Sequence, residues 1–151
     1  MSKQFDPVNP PKPDNVVITY INASQERVWK ALTDPAEQAT YFGGKTEIGE
    51  QGGRWIRHAT DKWPALTGDV LVKEKPRRLL LTWGSDADPP PDWIEFLIDP
   101  ASNGTTRVTI REYHARDWGE DYAEAAEQGW AALLSGLKTI VETGKPLPSP
   151  F

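Results

Sequence analysis

The sequence contains no cysteine, so disulfides, thiol nucleophiles and cysteine-based zinc sites are excluded. Histidine is almost as scarce. His58 and His114 are the only two, which argues against a multi-histidine metal centre. No apolar run is long enough to cross a bilayer. The opening MSKQFDPVNPPKPDN lacks the apolar stretch of a signal peptide. A cytoplasmic protein with no membrane insertion is the expectation. Basic charge is short as well: 17 Lys and Arg face 22 Asp and Glu, a net charge of -5 without the basic footprint of a nucleic-acid binder. GxSxG, HExxH and P-loop motifs are all missing, and no GK[ST] follows Gly43-Gly44 or Gly52-Gly53, so no cofactor or nucleotide is expected.

What the chain does have is tryptophan. Seven occur in 151 residues, enough large rings to build a core on or to line a cavity. The length suits one domain with a single sizeable core. Residues 1–14 read as a flexible proline-rich arm with little to bury, residues 15–144 as one domain, and residues 145–151 as a loose tail.

Within the domain, NVVITYIN (15–22) is β-branched and aromatic, the composition of a strand. Ser24 suits the N-cap of a helix carrying Val28, Trp29, Ala31 and Leu32. Asp34-Pro35-Ala36-Glu37 opens a second short helix, with Asp34 at the cap, Pro35 at the first position and Glu37 completing a capping-box-like pattern. That helix is expected to run to Tyr41-Phe42, where Gly43-Gly44 stops it. From 45 to 114 the segments KTEIGE, GGRWIRHA, TGDVLVKEK, RRLLLTWG, DWIEFLID and TTRVTIREYH read as strands. The turns between them are at Gly49–Gly53, Lys75-Pro76, Ser85–Pro91 and Asp99–Gly104, the signature of an antiparallel meander. Beyond Trp118 the period changes. Tyr122, Ala126, Trp130, Leu133, Leu134, Leu137, Ile140 and Val141 mark one face of a long amphipathic helix, ended by Gly144 and Pro146.

A sheet with an apolar face needs a cover, and the long helix is the only element large enough. The order therefore predicts an α+β helix-grip fold. A curved antiparallel sheet wraps around a long C-terminal helix, with two short helices after the first strand.

Six stretches, in register, also carry a family resemblance: ASQERVWKALTDPAEQATYF, EQGGRW, TGDVLVKEKPRRLLLTW, WIEFLIDP, GTTRVTI and QGWAALLSGLKTIVETG. Over residues 15–144 the chain resembles the START-like (SRPBCC) superfamily, in the branch named for the activator of Hsp90 ATPase. The resemblance implies a domain that often holds an internal pocket. It does not imply one activity, because relatives include chaperone regulators, lipid carriers, hormone receptors and aromatase/cyclase enzymes. The family pattern continues into a polar segment that often bears a histidine. Here that segment is Arg111-Glu112-Tyr113-His114. The loop Ala87-Asp88-Pro89-Pro90-Pro91 departs from the pattern at the pocket mouth.

Strand alternation assigns faces. Val108 and Ile110 point inward, and Glu112 and His114 follow on the same side. Leu79, Leu81 and Trp83 form one inner set. Ile94, Phe96 and Ile98 form another, leaving Trp93, Glu95 and Leu97 outside. The family register puts Trp55 and Arg57 inside and His58 on the surface. An arginine cannot stay unpaired in a core, so Arg57 either pairs with Glu112 in a wet pocket or turns to solvent at a strand end. His114 with Glu112 is the candidate acid/base pair, or else a histidine that only bonds its neighbours. As metal ligands the two are too few. The acidic run Asp117, Glu120, Asp121, Glu124 and Glu127 suits a helix N-terminus and a solvated face.

The expected function is non-catalytic binding of a hydrophobic or aromatic small molecule by Trp55, Arg57, Leu81, Trp83, Phe96, Glu112, His114 and Trp130. One alternative is a protein-interaction module of chaperone-regulator type, or a homodimer, using exposed Trp63, Trp93 or Leu97. The other is a cyclase- or hydrolase-like enzyme using His114 and Glu112, although no nucleophile held by a base is evident.

Overall fold

The computed structural model describes residues 5–84 and 92–150. The expected turn at Ser85–Pro91, with the Ala87–Pro91 loop, lies outside the described residues. The first strand, β1 (Asn15–Ile21), alternates as its sequence requires: Val17 and Ile21 join the core, while Val16, Ile18 and Tyr20 stay exposed. Both predicted caps form. Ser24 accepts the Arg27 N–H at 3.1 Å and opens α1 (Gln25–Thr33), and Asp34 accepts the Glu37 N–H at 3.0 Å and opens α2 (Pro35–Gln38). The second helix is shorter than its sequence suggests. After Gln38 the backbone bonds tighten, Thr40 N–H to Glu37 O and Tyr41 N–H to Gln38 O, and the buried Gln38 amide is drawn to the Leu32 carbonyl at 2.5 Å. Tyr41 and Phe42 are thereby released from the helix and packed on the core.

The remaining strands are β2 (Thr46–Ile48), β3 (Arg54–Arg57), β4 (Leu66–Glu74), β5 (Arg78–Trp83), β6 (Asp92–Pro100) and β7 (Thr106–Tyr113). With β1 they form one seven-stranded antiparallel sheet in the order β1-β7-β6-β5-β4-β3-β2. The long helix α3 (Glu120–Thr143) packs Trp130, Leu133, Leu134, Leu137 and Ile140 against the sheet's inner face. It ends at Gly144, whose left-handed backbone (φ 74°) returns its N–H to Ile140 O. The result is the expected helix-grip architecture.

Two glycines permit close approaches. A Cβ at Gly136 would come within 2.5 Å of Tyr41 Cβ, so its absence lets α3 sit against the chain after α2. At Gly68 a Cβ would lie 2.0 Å from the Thr82 carbonyl oxygen and 2.5 Å from the Trp55 indole nitrogen. The bare backbone leaves room for Trp55 Nε1 to cross the sheet and donate to that carbonyl at 2.8 Å.

The outer face is not left to solvent. Phe5 stacks on Trp93 (centroids 4.7 Å apart) and meets Tyr113 edge-on at 5.0 Å, while the Pro7 carbonyl accepts from Arg78 at 2.7 Å. The arm expected to have little to bury thus supplies an aromatic ring to the sheet. Trp93, Glu95 and Leu97 do lie on the outer face, as alternation requires, but not as an exposed patch: Glu95 is 2% and Leu97 9% exposed. At the other end, Leu147, Pro148, Ser149 and Pro150 border a second hollow shared with Thr40 and Trp63. Among the described residues no helix is long and apolar enough to cross a membrane.

Candidate ligand-binding cleft

The N-terminal half of α3 is unusually small where it faces the sheet. Ala125, Ala126 and Gly129 stand on the helix face that also carries Tyr122, Trp130 and Leu133. Side chains that size cannot fill the space under a curved sheet. A cleft of about 480 Å³ remains, open to solvent. Tyr41, Phe42 and Gly43 form a second wall, and Arg57, Trp63, Trp83 and Glu112 complete the lining.

Rings make up most of the surface. Trp83 meets the Trp130 edge at 5.0 Å and Phe42 at 6.0 Å, and it stacks on Trp55 at 4.6 Å. Trp55 and Phe96 are the layer beneath. They are 1% and 0% exposed and do not line the cleft. Leu81, also fully buried, belongs with them.

The polar groups are few. Arg57 reaches the cleft from the end of β3 and donates to the Pro64 carbonyl at 3.1 Å. Its Nε is buried with no hydrogen-bond partner among the described residues, and burial pulls its pKa below the usual guanidinium value. Among the described residues no carboxylate pairs with it. The expected Arg57–Glu112 pair is therefore not formed, although both side chains line the same cleft. The Pro64 carbonyl takes one guanidinium nitrogen instead, and Glu112 is engaged on β7. Glu112 is 2% exposed, with His114 Nε2 at 3.0 Å from its Oε1 and Asn15 Nδ2 at 3.4 Å. The Trp130 indole nitrogen is also buried without a partner among the described residues.

His114 lies inward of β7, as alternation predicts, but behind the wall rather than on it. Its backbone N–H donates to Asp14 at 2.7 Å, and its ring meets the Tyr122 edge at 5.6 Å. Burial, reinforced by the nearby negative charges of Glu112 and Asp92, pushes the Tyr122 hydroxyl up to about 12. His58 is at the surface as expected, 2.5 Å from Glu47, whose carboxyl this hydrogen bond holds below its usual value.

Of the eight residues expected to bind ligand, Arg57, Trp83, Glu112 and Trp130 line the cleft. Trp55, Leu81, Phe96 and His114 support it from behind. Tyr41, Phe42, Trp63 and Tyr122 also line the cleft and were not among the residues expected to bind ligand. The early end of α2 aims the first two, and Trp63 lies on a loop with no periodicity. The small residues Ala125, Ala126 and Gly129 were the readable signal, since they break an otherwise bulky helix face.

Solved structures share this architecture. A protein from Mesorhizobium loti superposes with a TM-score of 0.72 at 22% identity, covering 84% of this chain and 96% of its own. DynU16, a protein in the dynemicin biosynthetic locus, gives 0.77 at 23% identity over 87% of this chain and 48% of its own. The Aha1 dimer from Colwellia psychrerythraea gives 0.73 at 18% identity over 86% and 96%. These likenesses establish the fold. No curated protein matches in sequence. Residues 22–142 match the family described as activator of Hsp90 ATPase homolog 1-like protein, and the chain belongs to that family.

Proposed function

We propose that the protein binds a small hydrophobic or aromatic molecule carrying one anionic group, held in the cleft between the sheet and α3. The observation that carries this reading is Arg57. Its guanidinium lines an aromatic cleft with a buried Nε that nothing satisfies and no carboxylate partner among the described residues. A buried donor without a partner is costly, and a carboxylate or phenolate seated between the rings would remove that cost. Trp83, Trp130 and Phe42 supply contact area, and the unpartnered Trp130 N–H offers a second donor.

The test is tryptophan fluorescence and calorimetry against paired aromatic acids and their neutral amides. Saturable binding is expected, with Arg57→Leu weakening the acids by at least about tenfold and sparing the amides. A Cβ at Gly129 meets nothing within 4 Å, so Gly129→Phe should fill the cleft and abolish binding without unfolding the protein. Equal affinity in wild type and both variants would sink the reading.

A second reading rests on the stripe Val16, Ile18 and Tyr20, 45–53% exposed on the outer side of β1. Such a stripe supports a protein partner or a second copy of the chain, and Ile18→Lys should then dissociate the complex in light scattering. The acid/base role for His114 and Glu112 has their 3.0 Å contact in its favour, but His114 does not line the cleft.

A further inference from the structure

The inner face of the sheet extends one residue further than the apolar pattern suggests. Ile94 pairs with Glu112 across β6 and β7, and stepping outward along the same ladder brings Asp92 beside His114. Asp92, Glu112 and His114 are 3%, 2% and 7% exposed, and one donor atom from each lies within 4.8 Å of the others. Two carboxyl groups and an imidazole are thus gathered in a poorly solvated space.

The contact between His114 and Glu112 is informative in itself. His114 Nε2 stands 3.0 Å from Glu112 Oε1, well within hydrogen-bonding distance, yet it forms no hydrogen bond because the geometry is off-line. Two donor atoms about 3 Å apart, each aimed past the other, is the spacing of neighbouring ligands on a common cation with bonds of about 2.0–2.2 Å. Asp92 is held ready for such a role. Its Oδ1 accepts the Ala115 N–H at 2.9 Å and the Trp118 indole N–H at 3.1 Å, and the Tyr122 hydroxyl also bonds the carboxyl, so the group is fixed in place beside the cluster.

We infer that Asp92, Glu112 and His114 form a binding site for a single divalent transition-metal ion. One imidazole nitrogen with two carboxylates suits zinc, manganese or cobalt rather than the all-oxygen preference of calcium or magnesium. Neighbouring ligands on one tetrahedral ion stand about 3.4 Å apart, so the donor atoms, now within 4.8 Å of one another, close around an ion by side-chain rotations of about 1 Å. Glu112 and Tyr122 also line the cleft, so a vacant coordination position would face it. The site does not depend on the ligand reading above, because metal uptake requires no cleft ligand and its failure would leave the Arg57 test untouched.

The test uses the full chain, stripped with EDTA and titrated with Zn²⁺ and Mn²⁺ by calorimetry and with Co²⁺ by visible absorption. Expected are one equivalent per chain, a raised Tm and cobalt ligand-field bands. His114→Ala and Glu112→Gln should each weaken uptake by at least about tenfold and change the cobalt spectrum. Glu112→Gln keeps the shape of the side chain and carries the test if the alanine variant does not fold. His58→Ala, which removes the only other histidine, should change nothing. Absence of saturable uptake would overturn the proposal. So would uptake lost with His58 and kept without His114, since the exposed His58–Glu47 pair would then be the site.

Discussion

Glu95 and Glu112 are both 2% exposed, sit on neighbouring strands of one sheet, and are solvated in opposite ways. Glu95, on the outer face, receives Arg78 Nε at 2.6 Å and the Tyr113 hydroxyl at 3.0 Å, with Arg111 at 3.9 Å. Glu112, on the inner face, has an off-line histidine at 3.0 Å and a long amide contact at 3.4 Å. The first carboxylate is saturated by its own chain. The second is buried with only the long Asn15 bond to its side chain among the described residues, and it lines the cleft. Burial alone therefore does not distinguish a structural charge from one available to a ligand. The completeness of its partners does.

The largest effect should come from breaking the saturated site. Glu95→Gln strands Arg78, whose side chain is only 14% exposed, and is expected to cost about 3–5 kcal/mol in urea unfolding. Phe5→Ala uncovers Trp93 and Tyr113 and should cost about 1–2 kcal/mol, with a matching drop in Tm. Glu112→Gln should stay within about 1 kcal/mol of wild type, since it removes a charge that its surroundings hardly compensate. A cost as large as that of Glu95→Gln would break the comparison.

The smallest effect is a pH slope. The Tyr113 hydroxyl is pushed up to about 12, first by burial and then by the charge of Glu95. Its proton is held more tightly in the folded than in the unfolded chain, so the stabilisation is complete below about pH 10 and declines from there to about 12. Thermal melts across this window should show the decline, and Tyr113→Phe should flatten it. Tyr122, raised to about 12 as well but 36% exposed, should contribute less.

Much of the fold was legible because it depends on local rules. Ser24 and Asp34 announced two helix starts, Gly144 announced a helix end, and period-2 alternation placed Val108, Ile110, Ile94 and Phe96 on the inner face. Part of the site was legible for the same reason: Arg57, Trp83, Glu112 and Trp130 follow from alternation, family register and helix period. Asp92 was within reach too, being two residues before Ile94 on the same face, but a charged residue at a strand end does not stand out in an apolar pattern. The contribution of the N-terminal arm was hidden, because nothing local in FDPVNP indicates that Phe5 meets Trp93 across 88 positions of sequence.

By itself, then, the sequence determined which elements form, where they start and stop, and which face of each strand is apolar. These follow from backbone geometry and side-chain period, which act over a few residues. Only the tertiary structure decided that the outer carboxylate is saturated while the inner one is not, that Arg57 reaches a cleft without reaching Glu112, and that Asp92 meets His114. Those outcomes depend on distances between strands distant in the chain and on the volume left by Ala125, Ala126 and Gly129. Close packing fixes both only when the whole molecule is assembled.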